Sequence, residues 1–253
     1  MKKLTGTIVT LTLIIFAASV HAGQFGPLET YAKEGGFSFG VGYFYEDTKW
    51  DSATFRIAGV SLDTEKFRTE SNQMYLQGSY APTKGWEVYG RLGAADMKLK
   101  NDNDLNDSQK FFGTLGIKST LYDNKTFSLG PFLQGTYRSN YKDSFSATVL
   151  GVAVKADYEL KNYYDINVGF TGQVRANGFI IYGGGFYTYA NAKAELTLSL
   201  LGVSVSDSDT IKVKNPVGGF LGLSIPFTKE LKFNIEGQFK DRVSAGGILT
   251  YSF

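Results

Sequence analysis

The sequence predicts an all-β fold: a transmembrane, antiparallel, up-and-down β-barrel that follows a cleaved signal peptide. Three observations predict it. Apolar and polar residues alternate from Gly36 to the terminal Phe253. The alternating runs reach about 9–13 residues, where soluble strands average about 5–6 and a tilted membrane strand needs about 9–11. Tight connections alternate with long polar ones, as periplasmic turns and external loops do in membrane barrels.

Composition agrees. The 253 residues include 30 Gly, 20 Phe, 16 Tyr and 2 Trp, with only 5 Pro and no Cys. That aromatic load does not suit a disordered chain. Zero cysteine removes disulfides, thiolate metal sites and cysteine nucleophiles together.

The chain opens with the basic Met1-Lys2-Lys3, an apolar run from Leu4 to Ala18, and small residues at Val20 and Ala22. This is the order of a secretory signal cleaved before Gly23, so residues 1–22 are read as an address. Its loss removes Lys2, Lys3 and the sole histidine, His21, and brings the 26 basic residues down to the 24 acidic ones. A balanced charge offers no electrostatic footprint for nucleic acid. Residues 23–35 are expected as a periplasmic N-terminal segment and 36–253 as the barrel.

Twelve strands are predicted: 36–47, 72–81, 86–97, 111–122, 126–138, 146–159, 163–175, 179–189, 194–205, 214–226, 231–240 and 244–253. In the first, Phe37, Phe39, Val41, Tyr43 and Tyr45 alternate with Ser38, Gly40, Gly42, Phe44 and Glu46. In the seventh, Tyr164, Ile166, Val168 and Phe170 alternate with Asp165, Asn167 and Thr171. The eleventh sets Leu231, Phe233 and Ile235 against Lys232, Asn234 and Glu236. The last carries Ala245, Gly247, Leu249, Tyr251 and Phe253 on one face. Tight turns are read at 81–85, 122–125, 160–163 and 227–230, and long loops at 47–72, 98–110 and 206–214. Ten strands is the alternative, if 179–205 forms an external hairpin. Pro131 falls inside a predicted strand and calls for a bulge.

The signal, the loop alternation and the final Leu249-Thr250-Tyr251-Ser252-Phe253 resemble a Gram-negative outer-membrane β-barrel of the porin-like superfamily. The resemblance implies residence in the outer membrane, contact with its lipid and lipopolysaccharide, and an end read by the barrel-insertion machinery. Phe253, with Tyr251 and Leu249 two and four places before it, is the candidate insertion signal.

Outer-membrane hydrolases of known families rely on a histidine base, and general-base work near neutral pH falls most often to His. A mature chain without histidine is therefore expected not to be an enzyme, and no cofactor is expected. Asn101 to Asp107 echoes a calcium loop but carries Asp107 where the motif needs Gly and Gly113 where it needs Glu. It is read as a solvated loop, and no metal is expected. Gly183-Gly184-Gly185 is read as close backbone packing.

The charges predicted to face inward are Glu87, Arg91, Lys118, Arg138, Lys155, Asp157, Asp165, Arg175, Glu195, Lys232, Glu236 and Lys240. Inward glycines (Gly40, Gly42, Gly93, Gly116, Gly151, Gly169 and Gly222) are expected to leave space among them. The leading expectation is a small porin-like channel, passing small solutes through this mixed-charge lumen. The second is a non-conducting structural or surface-interaction barrel presenting its external loops. The oligomeric state is left open.

Overall fold

The computed structural model describes residues 25–57, 60–63, 66, 68–99, 105–149, 152–200, 203–240 and 243–253. The segment read as a signal peptide and most of the calcium-like loop lie outside them. In chain order the strands are β1 (Phe37–Lys49), β2 (Thr54–Ile57), β3 (Val60–Asp63), β4 (Arg68–Tyr80), β5 (Trp86–Leu99), β6 (Leu105–Ser119), β7 (Tyr122–Asp123), β8 (Phe127–Arg138), β9 (Tyr141–Val149), β10 (Val152–Ala176), β11 (Phe179–Leu200), β12 (Val203–Lys212), β13 (Val217–Pro226), β14 (Leu231–Phe239) and β15 (Val243–Ser252). No helix occurs among the described residues.

Ten strands close a ring in the order β1-β4-β5-β6-β8-β10-β11-β13-β14-β15, and β15 returns to β1. The closing pairs run from Ser38↔Ser252 to Tyr45↔Ala245. Every neighbouring pair is antiparallel. One end of the barrel carries the short turns and the C-terminus, and is called the turn end here. The other is the loop end.

The ring has ten strands rather than twelve because β10 and β11 are far longer than expected, at 25 and 22 residues. At about 3.3 Å per residue, 25 residues extend roughly 80 Å, well beyond a membrane's needs. Only the turn-end halves join the ring, where β10 pairs with β8 and β11 with β13. Past the ring, β9 and β12 take over as partners. The result is a four-stranded external sheet, β9-β10-β11-β12, continuous with the barrel wall. The β2–β3 hairpin sits against it: Thr54 N–H donates to Asp209 at 2.9 Å and Arg56 N–H to Asp207 at 2.5 Å.

Two local features explain the miscount. The turn expected at 160–163 is a bulge, with the register shifting between Lys161 and Tyr164 and Asn162 at φ 53°. Asparagine tolerates that left-handed conformation better than most residues. The extra residue reverses the alternation. Asp165, Asn167, Thr171 and Gln173 are buried on one side of the bulge, Ala156 and Leu160 on the other. A slip of phase beside Lys-Asn reads as a chain reversal in sequence. The gap expected between 189 and 194 is strand as well. Ala190, Ala192 and Ala194 face inward and are buried against a cluster holding Trp50 and Phe55. Methyl groups give a weak apolar signal, but only small side chains fit beneath those rings. The ten-strand alternative had the number without the reason, because 179–200 is one strand and not a hairpin.

Pro131 needs no bulge. It pairs in register with Phe170 of β10, and β6 has already ended its pairing at Lys118↔Phe132. The proline sits where one side of the ladder has stopped, so its missing N–H costs little.

Candidate functional site

The faces of the ring are inverted relative to a soluble barrel. Val41, Leu76, Leu92, Leu115, Val168 and Leu221 are exposed on the outside. Exposed aromatics flank this band, with Tyr80, Trp86 and Phe127 towards the turn end and Tyr137, Tyr187 and Tyr189 towards the loop end. Gln77, Gln134, Gln173, Asn234 and Glu236 are buried inside. An apolar exterior, aromatic girdles and a polar interior suit lipid outside. Leu249, Tyr251 and Phe253 all lie on the outer face.

The interior is occupied. The segment before β1, expected as a periplasmic N-terminal segment, turns into the barrel from the turn end. Its backbone is held by wall side chains. Glu236 accepts the N–H groups of Phe25 at 3.2 Å and Gly26 at 2.8 Å. Gln173 accepts those of Leu28 at 2.8 Å and Glu29 at 3.1 Å. Glu87 accepts that of Tyr31 at 2.7 Å. Lys118 donates to the Pro27 carbonyl at 2.6 Å, and the Ser252 hydroxyl donates to that of Tyr31. The Phe25 ring enters an aromatic nest, 4.3 Å from Phe132, 4.9 Å from Phe186 and 5.1 Å from Phe220 between centroids.

Beside this plug lies a cationic layer. Arg91 donates to Gln77 at 2.8 Å and rests between the rings of Tyr75 and Tyr89, 5.0 and 4.9 Å from their centroids. Lys118 pairs with Glu87 at 3.2 Å. Nearer the loop end, Arg138 pairs with Glu46 at 2.6 Å, approaches Asp165 at 3.6 Å and stacks on Tyr163. The cavity beside it, lined by Glu46, Asp165 and Lys240, measures about 20 Å³, room for about one water. The mouth above is capped by Trp50 and Phe55, both fully buried against Tyr141, Ile211 and Val213.

Gly151 lies outside the described residues, and the other inward glycines do not leave open space. Each of several supports a ring from a neighbouring strand. A Cβ on Gly116 would lie 2.2 Å from Tyr89, on Gly222 2.2 Å from Tyr182 and on Gly42 2.5 Å from Tyr75. Gly184 of the triple-glycine run has a different reason: its Cβ would lie 1.8 Å from the Phe170 carbonyl oxygen.

Of the twelve charges read as inward, Lys240 follows the end of β14 and lines the small cavity with Glu46 and Asp165; the other eleven divide into three groups. Glu87, Arg91, Lys118, Arg138, Asp165 and Glu236 are buried inside the ring. Arg175 and Lys232 stand at the turn end, where both bind Glu29, at 3.3 and 2.8 Å. Burial pushes the Glu29 carboxyl up, but Lys232 and Arg175 outweigh it and hold the group below its ordinary 4.5. Lys155, Asp157 and Glu195 are not in the lumen at all. Lys155 and Asp157 pair with each other on the exposed external sheet, and Glu195 pairs there with Lys161. Their alternation is genuine, but it belongs to strand beyond the ring. The plug residues themselves were missed. The sequence hint was an apolar, non-alternating Phe25-Gly26-Pro27-Leu28 shortly after the predicted cleavage point before Gly23.

The chain folds as a closed antiparallel β-barrel with an apolar outer face and a polar interior. Solved structures of Gram-negative barrels resemble it at low sequence identity. The translocator domain of the autotransporter NalP from Neisseria meningitidis has a TM-score of 0.44 and 11% identity, covering 100% of this chain and 97% of that one. The outer-membrane protein OprG from Pseudomonas aeruginosa has a TM-score of 0.45 and 13% identity, covering 90% and 99%. An outer-membrane channel from Pseudomonas putida F1 has a TM-score of 0.44 and 12% identity, covering 90% and 98%. No protein-family model matches the sequence, and no curated protein does.

Proposed function

We propose that this protein is a closed barrel that anchors and presents its external sheet, acting as a surface-interaction protein rather than as an open pore. One observation carries the reading: the lumen is filled in succession by the plug, the charged layers and the Trp50–Phe55 cap. An open porin needs a continuous water path, and ten strands enclose a lumen near the size that side chains fill. The sheet outside is built on two strands of the wall, with an ion-pair ladder of Lys142, Glu159, Lys161 and Glu195 facing water.

A second reading is the small-solute channel, closed at rest. It is favoured by the way the plug is held, through hydrogen bonds to its backbone rather than by continuous chain in the wall. Single-channel recording in planar bilayers separates the two. We expect silence from the full mature barrel and from a variant lacking 25–34, with folding confirmed by heat-modifiable migration. Discrete steps from the deletion variant alone would establish the gated channel. Steps from the intact protein would overturn the closed-barrel reading.

A further inference from the structure

At the turn-end rim, beside the β10–β11 turn, the plug leaves a space next to Glu29. A cavity of about 290 Å³ remains between Glu29 and the wall. Its lining includes the apolar Ala176, Ile180 and Pro226. It also presents Arg175 and Lys232. Its lining also includes Ser224, whose side chain is 1% exposed and whose hydroxyl has no hydrogen-bond partner. A buried hydroxyl without a partner is costly to leave so. Two cations, one idle hydroxyl and an apolar wall around a small space make a seat for an organic anion.

The seat already holds one. Glu29 reaches it from the plug and places one carboxylate oxygen on each cation, at 2.8 Å from Lys232 and 3.3 Å from Arg175. Arg175 is oriented by its remaining contacts, donating to Asp123 at 3.0 Å and to the Asn124 carbonyl at 2.9 Å. Glu29 is therefore an internal carboxylate ligand on a two-methylene stem. We infer that Arg175, Lys232 and Ser224 form a binding site for short-chain monocarboxylates at the turn end, and that Glu29 occupies it as a tethered competitor. An external monocarboxylate takes the same two cations, adds the Ser224 hydroxyl, and lays its hydrocarbon tail on Ile180 and Pro226. Binding displaces Glu29 and removes one anchor of the plug. The site does not depend on whether the lumen conducts.

The test is calorimetric titration of butyrate into the folded barrel in detergent, with butyramide as the neutral control. Wild type should bind weakly, because Glu29 competes from within. Glu29→Gln, which keeps the shape and drops the charge, should bind butyrate at least tenfold more tightly. Adding Lys232→Gln should abolish that gain, and adding Ser224→Ala should reduce it severalfold. Butyramide should not bind. Should Glu29→Gln fail to give heat-modifiable folded protein, Glu29→Asp draws the carboxylate back by one methylene and should show the same order at a smaller gain. Equal binding by wild type and the Glu29 variants would overturn the proposal. So would binding of butyramide, or indifference to Lys232→Gln.

Discussion

The carboxylate of Glu236, on the barrel wall, accepts the backbone N–H of Gly26 at 2.8 Å, with the neighbouring Phe25 N–H at 3.2 Å on its other oxygen. A side chain on the fourteenth strand thus fixes residues some 210 positions earlier in the chain, inside the lumen. Glu236→Leu removes the acceptor from two buried N–H groups. Each then costs about 1–3 kcal/mol, so a loss of roughly 2–6 kcal/mol is expected. Guanidinium unfolding in detergent measures it. Glu236→Gln retains one acceptor and should lose less.

Gly116 supports the Tyr89 ring, and a Cβ there would lie 2.2 Å from it. Gly116→Ala should destabilise the barrel by about 1–3 kcal/mol through overpacking. Tyr89→Leu in the same chain should recover part of the loss, since the clash is with the ring. The double-mutant cycle reads this coupling directly. Additive losses would show that the glycine serves the strand and not the ring.

Glu29 titrates below its ordinary 4.5, held there by Lys232 and Arg175 against the effect of burial. The folded value lies below the unfolded one. Its attachment is therefore fully present above about pH 4.5 and is lost as pH falls through the folded value. A nitroxide placed at Thr30→Cys should gain mobility in that acid range and stay restrained at neutral pH. In Glu29→Gln the same probe should be mobile already at pH 7, with little further change on acidification.

Asp207 and Asp209 hold the β2–β3 hairpin by its backbone N–H groups. Replacing both by Ala should speed proteolytic cutting within 52–66. The heat-modifiable migration of the barrel should not change, because these contacts lie wholly outside the ring.

Most of the wall was legible in sequence, because alternation is a local property. Val41 and Leu115 face lipid and Gln77 and Glu236 face inward whatever their neighbours do. Legibility failed where alternation meant something else. At Asn162 the phase slips by one residue, and a bulge and a turn leave the same trace. At Ala190, Ala192 and Ala194 the buried side is too small to register as apolar. Lys155, Asp157 and Glu195 alternate like lumen residues, but they stand on strand that has left the ring.

The sequence by itself determined the β class, the outward apolar face, the aromatic rims and the antiparallel order of the strands. Only the tertiary structure decided that ten strands close, that two of them continue into an external sheet, and that the lumen is occupied. The physical reason lies in what each contact reads. Lipid selects side chains by type, strand by strand, and so leaves a pattern. Glu236, Gln173 and Glu87 bind backbone N–H groups, which nearly every residue carries, so the plug they hold writes no pattern of its own.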